Sequence, residues 1–148
     1  MTLQITKLSD DFSTAPQISA EDMAEIAQLG FKTIINNRPD NEGGALQPTS
    51  VQLAATAEKL GLNYVYIPII PNNIQLNQID EFSVVYNLAA KPVLAFCRTG
   101  NRAGRIFKLA QTSLANKSSA SAPKGLLAWL KSKCLITRFW RWHAPSAH

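Results

Sequence analysis

Apolar and polar positions along this chain alternate between a helical and an extended period. From Ile18 to Gly30 the apolar residues Ile18, Met23, Ile26, Ala27 and Leu29 recur at near-helical spacing. Ser19 stands where an N-cap belongs, Asp22 follows three residues on, and Gly30 ends the pattern, which predicts a helix. Phe31 to Asn37, FKTIINN, is a short β-branched run stopped by Arg38-Pro39-Asp40; it predicts a strand opening into a Gly- and Pro-bearing loop that lasts to Pro48. A second cycle brings a helix from Thr49 to Leu60 with Gly61 as its stop, a strand over Asn63 to Ile69, and the breaker Pro71-Asn72-Asn73. A third helix, Leu76 to Ala90, gives way at Lys91-Pro92 to PVLAF, an almost wholly apolar run of the kind buried on both faces of a parallel sheet. Helical spacing resumes between Arg102 and Leu114, at Ile106, Leu109 and Ala110.

Strands and helices that alternate at these lengths imply right-handed crossovers and an α/β layered domain around a parallel sheet. The segment Cys97 to Asn101 then lies at the carboxyl end of a central strand and the amino end of a helix, where open α/β sheets bind their ligands. After Leu114 the character changes. NKSSASAPKG reads as a linker, and residues 124–142 hold all three tryptophans among Lys124, Lys131, Lys133, Arg138 and Arg141. The expected organisation is an α/β domain over residues 1–115 and a basic, Trp-rich tail over residues 116–148, with no internal repeat.

Composition narrows the chemistry. With 148 residues and 46% apolar side chains the chain builds one domain with a true core. Its start, MTLQITKLSDDFSTAPQ, has neither a basic n-region nor a continuous apolar stretch, and no run approaches the roughly 18 apolar residues that span a bilayer, so a cytoplasmic protein is expected. Cys97 and Cys134 are too few for a disulfide framework or a zinc knuckle and are expected to remain thiols. His143 and His148, the only histidines, both fall at the extreme end, which argues against a Cys–His pair in the core and against a metal centre; no cofactor is expected. The net charge of +5 conceals an asymmetry: residues 1–81 hold all ten acidic side chains against four Lys or Arg, and the remainder carries eleven basic residues and no acid. That split points to an anionic ligand, to an anionic surface, or to a tail outside the compact domain. No nucleic-acid motif accompanies the charge, so no nucleic-acid partner is expected. Residues 125–142 carry a weaker alternative as a basic amphipathic segment for membrane surfaces; oligomeric state is not encoded in any pattern here.

The candidate chemistry lies in LAFCRTGNRAGR, residues 94–105. A cysteine at a strand-to-helix junction faces unpaired backbone N–H groups and the positive end of the helix dipole, which together stabilise a thiolate. The same N–H groups, curled by Gly100, can hold the oxygens of a phosphate or sulfo group over the sulfur, while Arg102 offers a planar two-pronged donor. Cys97 and Arg102 are therefore the candidate catalytic pair, and Arg98, Thr99, Gly100, Asn101 and Ala103 make up the binding loop around them. Arg105 is the rival to Arg102. The bland reading of Cys97, a small buried residue after an apolar strand, is how most free cysteines behave; the Cys-Arg-Thr-Gly-Asn-Arg context with no acid nearby outweighs it.

DDFSTAPQIS, FKTIINNRPDNE, GLNYVYIPI and VLAFCRTGNRAGR, in this order and spacing, resemble the beta-lactamase-hydrolase-like phosphatase domain family, whose bacterial members carry labels of dual-specificity-phosphatase-like proteins or of sulfurtransferases. The resemblance covers roughly residues 3–112. It implies the fold of the dual-specificity, cysteine-dependent phosphatases, with Cys97 as nucleophile and Arg102 in the oxyanion-binding loop, acting on phosphorylated or other anionic substrates. Three departures qualify it. Protein tyrosine phosphatases resemble one another in placing one more residue between cysteine and arginine, usually after a histidine; here Phe96 precedes Cys97, Ala103 takes the usual arginine place, and the shorter loop looks like that of a rhodanese. Dual-specificity phosphatases use an aspartate as general acid on an upstream loop, where this chain has Pro68, Pro71, Asn72 and Asn73, leaving Asp40 and Asp80 as the nearest candidates. The tail, finally, is acid-free where the family continues with mixed charge, as in a divergent or frame-shifted end. The leading expectation is phosphomonoester hydrolysis through a cysteinyl-phosphate. The alternatives are a rhodanese-like sulfurtransferase that carries a persulfide on Cys97, favoured by the short loop and missing acid, and a non-catalytic anion-binding module.

Overall fold

The computed structural model describes residues 2–117. The tail expected over residues 116–148 therefore lies, from residue 118 on, outside the described residues, as does Cys134. Within them the predicted elements form close to their expected limits: α1 over Ala20–Gln28, β3 over Thr33–Asn36, α2 over Ser50–Lys59, β4 over Asn63–Tyr66, α3 over Leu76–Leu88, β5 over Val93–Phe96 and α4 over Asn101–Lys117. Two further strands, β1 (Thr6–Lys7) and β2 (Phe12–Ala15), precede them.

Local chemistry accounts for the helix starts. Ser19 accepts from the Asp22 N–H while the Asp22 carboxylate accepts from the Ser19 N–H, closing a reciprocal capping box, and Thr49 and Gln52 repeat the device at α2. Each box satisfies two donors that a helix start leaves free, and loss of such a cap costs about 1 kcal/mol. At α3 the Gln78 side chain accepts from the Gln75 N–H and donates to the Pro68 carbonyl, tying the helix start to the loop behind β4.

The sheet runs in the order β1-β2-β5-β3-β4. β2, β5, β3 and β4 are parallel, and β1 joins the edge antiparallel to β2, so the sheet is mixed at that margin. Central β5 explains the continuous apolar run VLAF: Val93 and Ala95 face one layer, Leu94 and Phe96 the other, and all four are buried. On one side Phe12, Ile35, Val65, Ile67, Phe82 and Ile106 pack beneath α3 and α4; on the other, Ile18, Met23, Ile26, Leu53 and Phe96 pack beneath α1 and α2. Phe12 of β2 anchors the first layer. Its ring stacks on Phe107 at 3.9 Å between centroids and meets Phe82 and Tyr86 edge-on, so a strand of only four residues is held to both α3 and α4. Among the described residues no helix is long and apolar enough to cross a membrane.

Candidate active site

Everything that positions Cys97 follows from the rung beneath it. Phe96, the last residue of β5, is level with Ala15 of β2 and Asn36 of β3, and its carbonyl accepts from the Asn37 N–H at 2.8 Å. The chain therefore leaves the sheet at Cys97 from a base three strands wide. The side chain points into the layer shared with α3 and α4 and is 1% exposed, at the floor of the loop. Gly100 then reverses the backbone at φ +90°, the left-handed region that glycine alone adopts freely, and its N–H turns back to the Cys97 Sγ at 3.1 Å. A side chain there would also meet the sheet, since a Cβ on Gly100 would stand 3.3 Å from the Ala15 carbonyl oxygen. One hydrogen bond later, Gly104 N–H to the Gly100 carbonyl, α4 is under way.

The two arginines singled out with Cys97 part company. Arg98 is exposed, and its backbone carbonyl accepts from the Gln17 N–H. Arg102, in the first turn of α4, reaches across to the loop behind β3: Nη1 and Nη2 donate to the two oxygens of Glu42 at 2.8 and 3.1 Å, and Nη1 also donates to the Ile69 carbonyl at 2.7 Å. Glu42 is shared. Its Oε2 accepts from Nε of Arg38 at 2.8 Å, and Arg38 in turn donates through Nη1 to the Gln17 side chain. A circuit thus closes from the Arg98 carbonyl through Gln17, Arg38 and Glu42 to Arg102, bracing the loop at both ends. Burial pushes the Glu42 carboxyl up, but hydrogen bonds from Arg102 and Arg38, with their charges, outweigh it and hold its pKa below the ordinary value. A guanidinium has five N–H donors, of which Glu42 and Ile69 take three. The two that remain on Arg102, Nε–H and the second hydrogen of Nη2, lie along one edge of its plane, a fork for two oxygens of a tetrahedral anion.

Ala103, the other loop residue named from the sequence, is wholly buried and packs with Ile106 and Phe107 in the core. Thr99, Gly100 and Asn101 line a cleft beside the loop. Asp40 is committed elsewhere: its two oxygens accept from the N–H and the hydroxyl of Ser50 at 2.8 and 2.7 Å, at the start of α2, and its own N–H donates to the Tyr66 hydroxyl. Asp80 lies on α3. Glu42 is the functional-site residue that sequence reasoning passed over. Its pairing with Arg102 spans sixty residues, and the local signal is only its position four residues after Arg38.

A strand-loop-helix cradle of this form belongs to more than one chemistry, and comparison with known proteins decides the family. The beta-lactamase hydrolase-like protein, phosphatase-like domain, family matches residues 4–114. The chain belongs to that family. The beta-lactamase hydrolase-like protein of Agrobacterium fabrum is 30% identical over 109 residues, 74% of this chain, and that of Xylella fastidiosa is 28% identical over the same length. The chain spans a quarter of the length of these curated relatives. Among solved structures, a candidate phosphatase from Neisseria meningitidis superimposes with a TM-score of 0.64 at 28% identity, covering 90% of this chain and 94% of that one. A candidate phosphatase from Shewanella putrefaciens gives 0.64 at 16% identity over 95% and 93% of the two chains, and Tk-PTP gives 0.52 at 16% over 90% and 97%. The last two show the fold, that of the dual-specificity phosphatases, which the four sequence segments had implied. In this phosphatase-like domain the segment Pro68-Ile69-Ile70-Pro71-Asn72-Asn73 carries no acid.

Proposed function

We propose that this domain hydrolyses phosphomonoesters through a cysteinyl-phosphate on Cys97. The observation that carries the reading is the Gly100 N–H directed at the Cys97 Sγ at 3.1 Å from the turn between β5 and α4. That donor is a backbone dipole aimed at the sulfur, and it is already in place before a substrate arrives. The thiolate attacks phosphorus, a sulfur–phosphorus bond forms and the bond to the ester oxygen breaks, the leaving group taking the electron pair. The free edge of Arg102 and the loop N–H groups bind the non-bridging oxygens as their charge redistributes. Water then attacks the cysteinyl-phosphate, releasing inorganic phosphate and restoring the thiolate. Among the described residues, Asp40 is bound to Ser50 and the segment from Pro68 to Asn73 holds no acid, so neither position supplies a proton to the leaving oxygen, which favours substrates such as aryl phosphates whose leaving groups depart as anions.

That same lack of an acid favours a second reading, rhodanese-like transfer of sulfane sulfur through a persulfide on Cys97, since no alcohol has to be expelled. Parallel assays separate the two. Hydrolysis predicts phosphate release from an aryl phosphate, loss of that release in Cys97→Ser, and a mass increment of one phosphoryl group on Cys97 after rapid acid quench. Thiocyanate production from thiosulfate and cyanide, with no release of phosphate, would overturn it.

A further inference from the structure

Two cations beside the loop that follows β5 have no acidic counterpart among the described residues. Arg105 and Lys108 are exposed, lie one turn apart on α4, and line a cleft of about 560 Å³ that Thr99, Gly100 and Asn101 of the loop itself also line. Arg38 and Arg102 are both paired with Glu42, whereas among the described residues no carboxylate reaches Arg105 or Lys108, and α4 contains no acid from Asn101 to Lys117. Like charges at this helical spacing repel one another by a few tenths of a kcal/mol, and an anion between them removes the repulsion. No acidic side chain lines the cleft. The facing wall, from β1, β2 and the residues beside them, is uncharged, with Thr6 and Thr14 among Leu8, Ala15 and Pro16. A volume of this size is that of a small-molecule site.

We infer that the substrate is a small phosphomonoester whose leaving group carries a second anionic group, held between Arg105 and Lys108 while the transferred phosphoryl group sits over Cys97. The inference rests on the phosphatase reading for the position of the first anion. At 1.5 Å per residue the two cations stand about 6 Å and about 10 Å along α4 from Asn101, so a leaving group of roughly one aromatic ring bridges the loop and the second site. The second anion contributes to binding without touching the reacting bond, and its effect falls on KM more than on kcat.

Non-hydrolysable ligands test the second site independently of any turnover. Calorimetric titration of the full chain with phenylphosphonate and with 1,4-phenylenediphosphonate is expected to show the bis-anion binding on the order of tenfold to a hundredfold tighter, an advantage that shrinks with added salt. In Arg105→Gln/Lys108→Gln that advantage is expected to vanish, with the phenylphosphonate affinity moving less than threefold and the thermal midpoint unchanged. Equal affinities of the two ligands in the unaltered protein, or an advantage that survives the double substitution, would overturn the inference, as would a preference for an acidic tyrosine phosphopeptide over the small bis-anion. Failure of the phosphatase reading looks different: no turnover of aryl phosphates, with the bis-anion advantage intact and abolished by the double substitution.

Discussion

Alanine at Gly100 and alanine at Gly104 are one chemical change made four residues apart, and they are expected to move stability in opposite directions. At Gly100 the backbone holds φ at +90°, where an L-residue pays about 1–2 kcal/mol for the clash of its Cβ with its own backbone. The new Cβ also stands 3.3 Å from the Ala15 oxygen and 3.4 Å from its carbonyl carbon, backbone atoms that the ladder to Phe96 prevents from yielding. At Gly104, inside α4, the Cβ meets only the Leu8 Cδ1 at 3.5 Å, an ordinary contact with a flexible side chain, and glycine-to-alanine inside a helix gains up to about 1 kcal/mol. With about 4 °C of thermal midpoint per kcal/mol in a domain of this size, Gly100→Ala should melt roughly 4–8 °C lower and Gly104→Ala up to roughly 4 °C higher. Turnover adds a second axis. The Gly100 N–H is the donor that faces Cys97, so its displacement should approach the roughly hundredfold loss that follows removal of an oxyanion-type donor, while Gly104→Ala stays near normal. Thermal unfolding followed by circular dichroism, with steady-state hydrolysis of an aryl phosphate, measures both. Midpoints that move the same way in the two variants, or full turnover in Gly100→Ala, would refute the reasoning.

Arg102→Lys keeps a charge but loses the two-pronged grip on Glu42 and the free edge, and should lower turnover and vanadate affinity by on the order of tenfold to a thousandfold, with Arg98→Lys far milder; a reversed order would remove Arg102 from the site. The lowered pKa of Glu42 contributes stability that is complete above its ordinary value of 4.5 and is lost as pH falls through the lower folded value, so Glu42→Gln should flatten the acid limb of a stability–pH curve; an unchanged limb would contradict the pairing. Asp40→Asn should cost about 1–2 kcal/mol by weakening the start of α2 and leave the pH profile of turnover in place, whereas loss of one limb of that profile would restore Asp40 as an acid.

What could be read in the sequence was local. Ser19 with Asp22 announces α1, the apolar run VLAF announces a strand buried on both faces, and Cys97 to Gly100 announces a turn between that strand and a helix. β2 was illegible because two of its four residues, Ser13 and Thr14, are polar, and their burial comes from β1 and β5 on either side and not from any pattern of their own. The circuit through Glu42 was illegible for a related reason: a carboxylate in a loop declares its partner only once β3, β4 and α4 have brought Arg38, Ile69 and Arg102 to one place. Asp40 shows the same limit from the other side. A turn aspartate after a strand suits a turn former or an acid, and its bonds to Ser50 cross a loop that the sequence does not dimension.

β5 comes last among the described strands in chain order and lies in the middle of the sheet. A chain emerging from the ribosome therefore carries β2 and β3 with an empty lane between them, each with an unsatisfied inner edge, until Val93 to Phe96 arrives. Neither hydrophobic layer can close earlier, because β5 supplies side chains to both. Such late, non-local pairing makes for slow folding and exposes nascent edges to other chains. It also means that Cys97, the very next residue, is delivered by the strand whose insertion completes the sheet. Prematurely ended products that stop short of it are expected to be cleared as unfolded polypeptide, so no folded version of the domain without Cys97 accumulates to compete for its ligands.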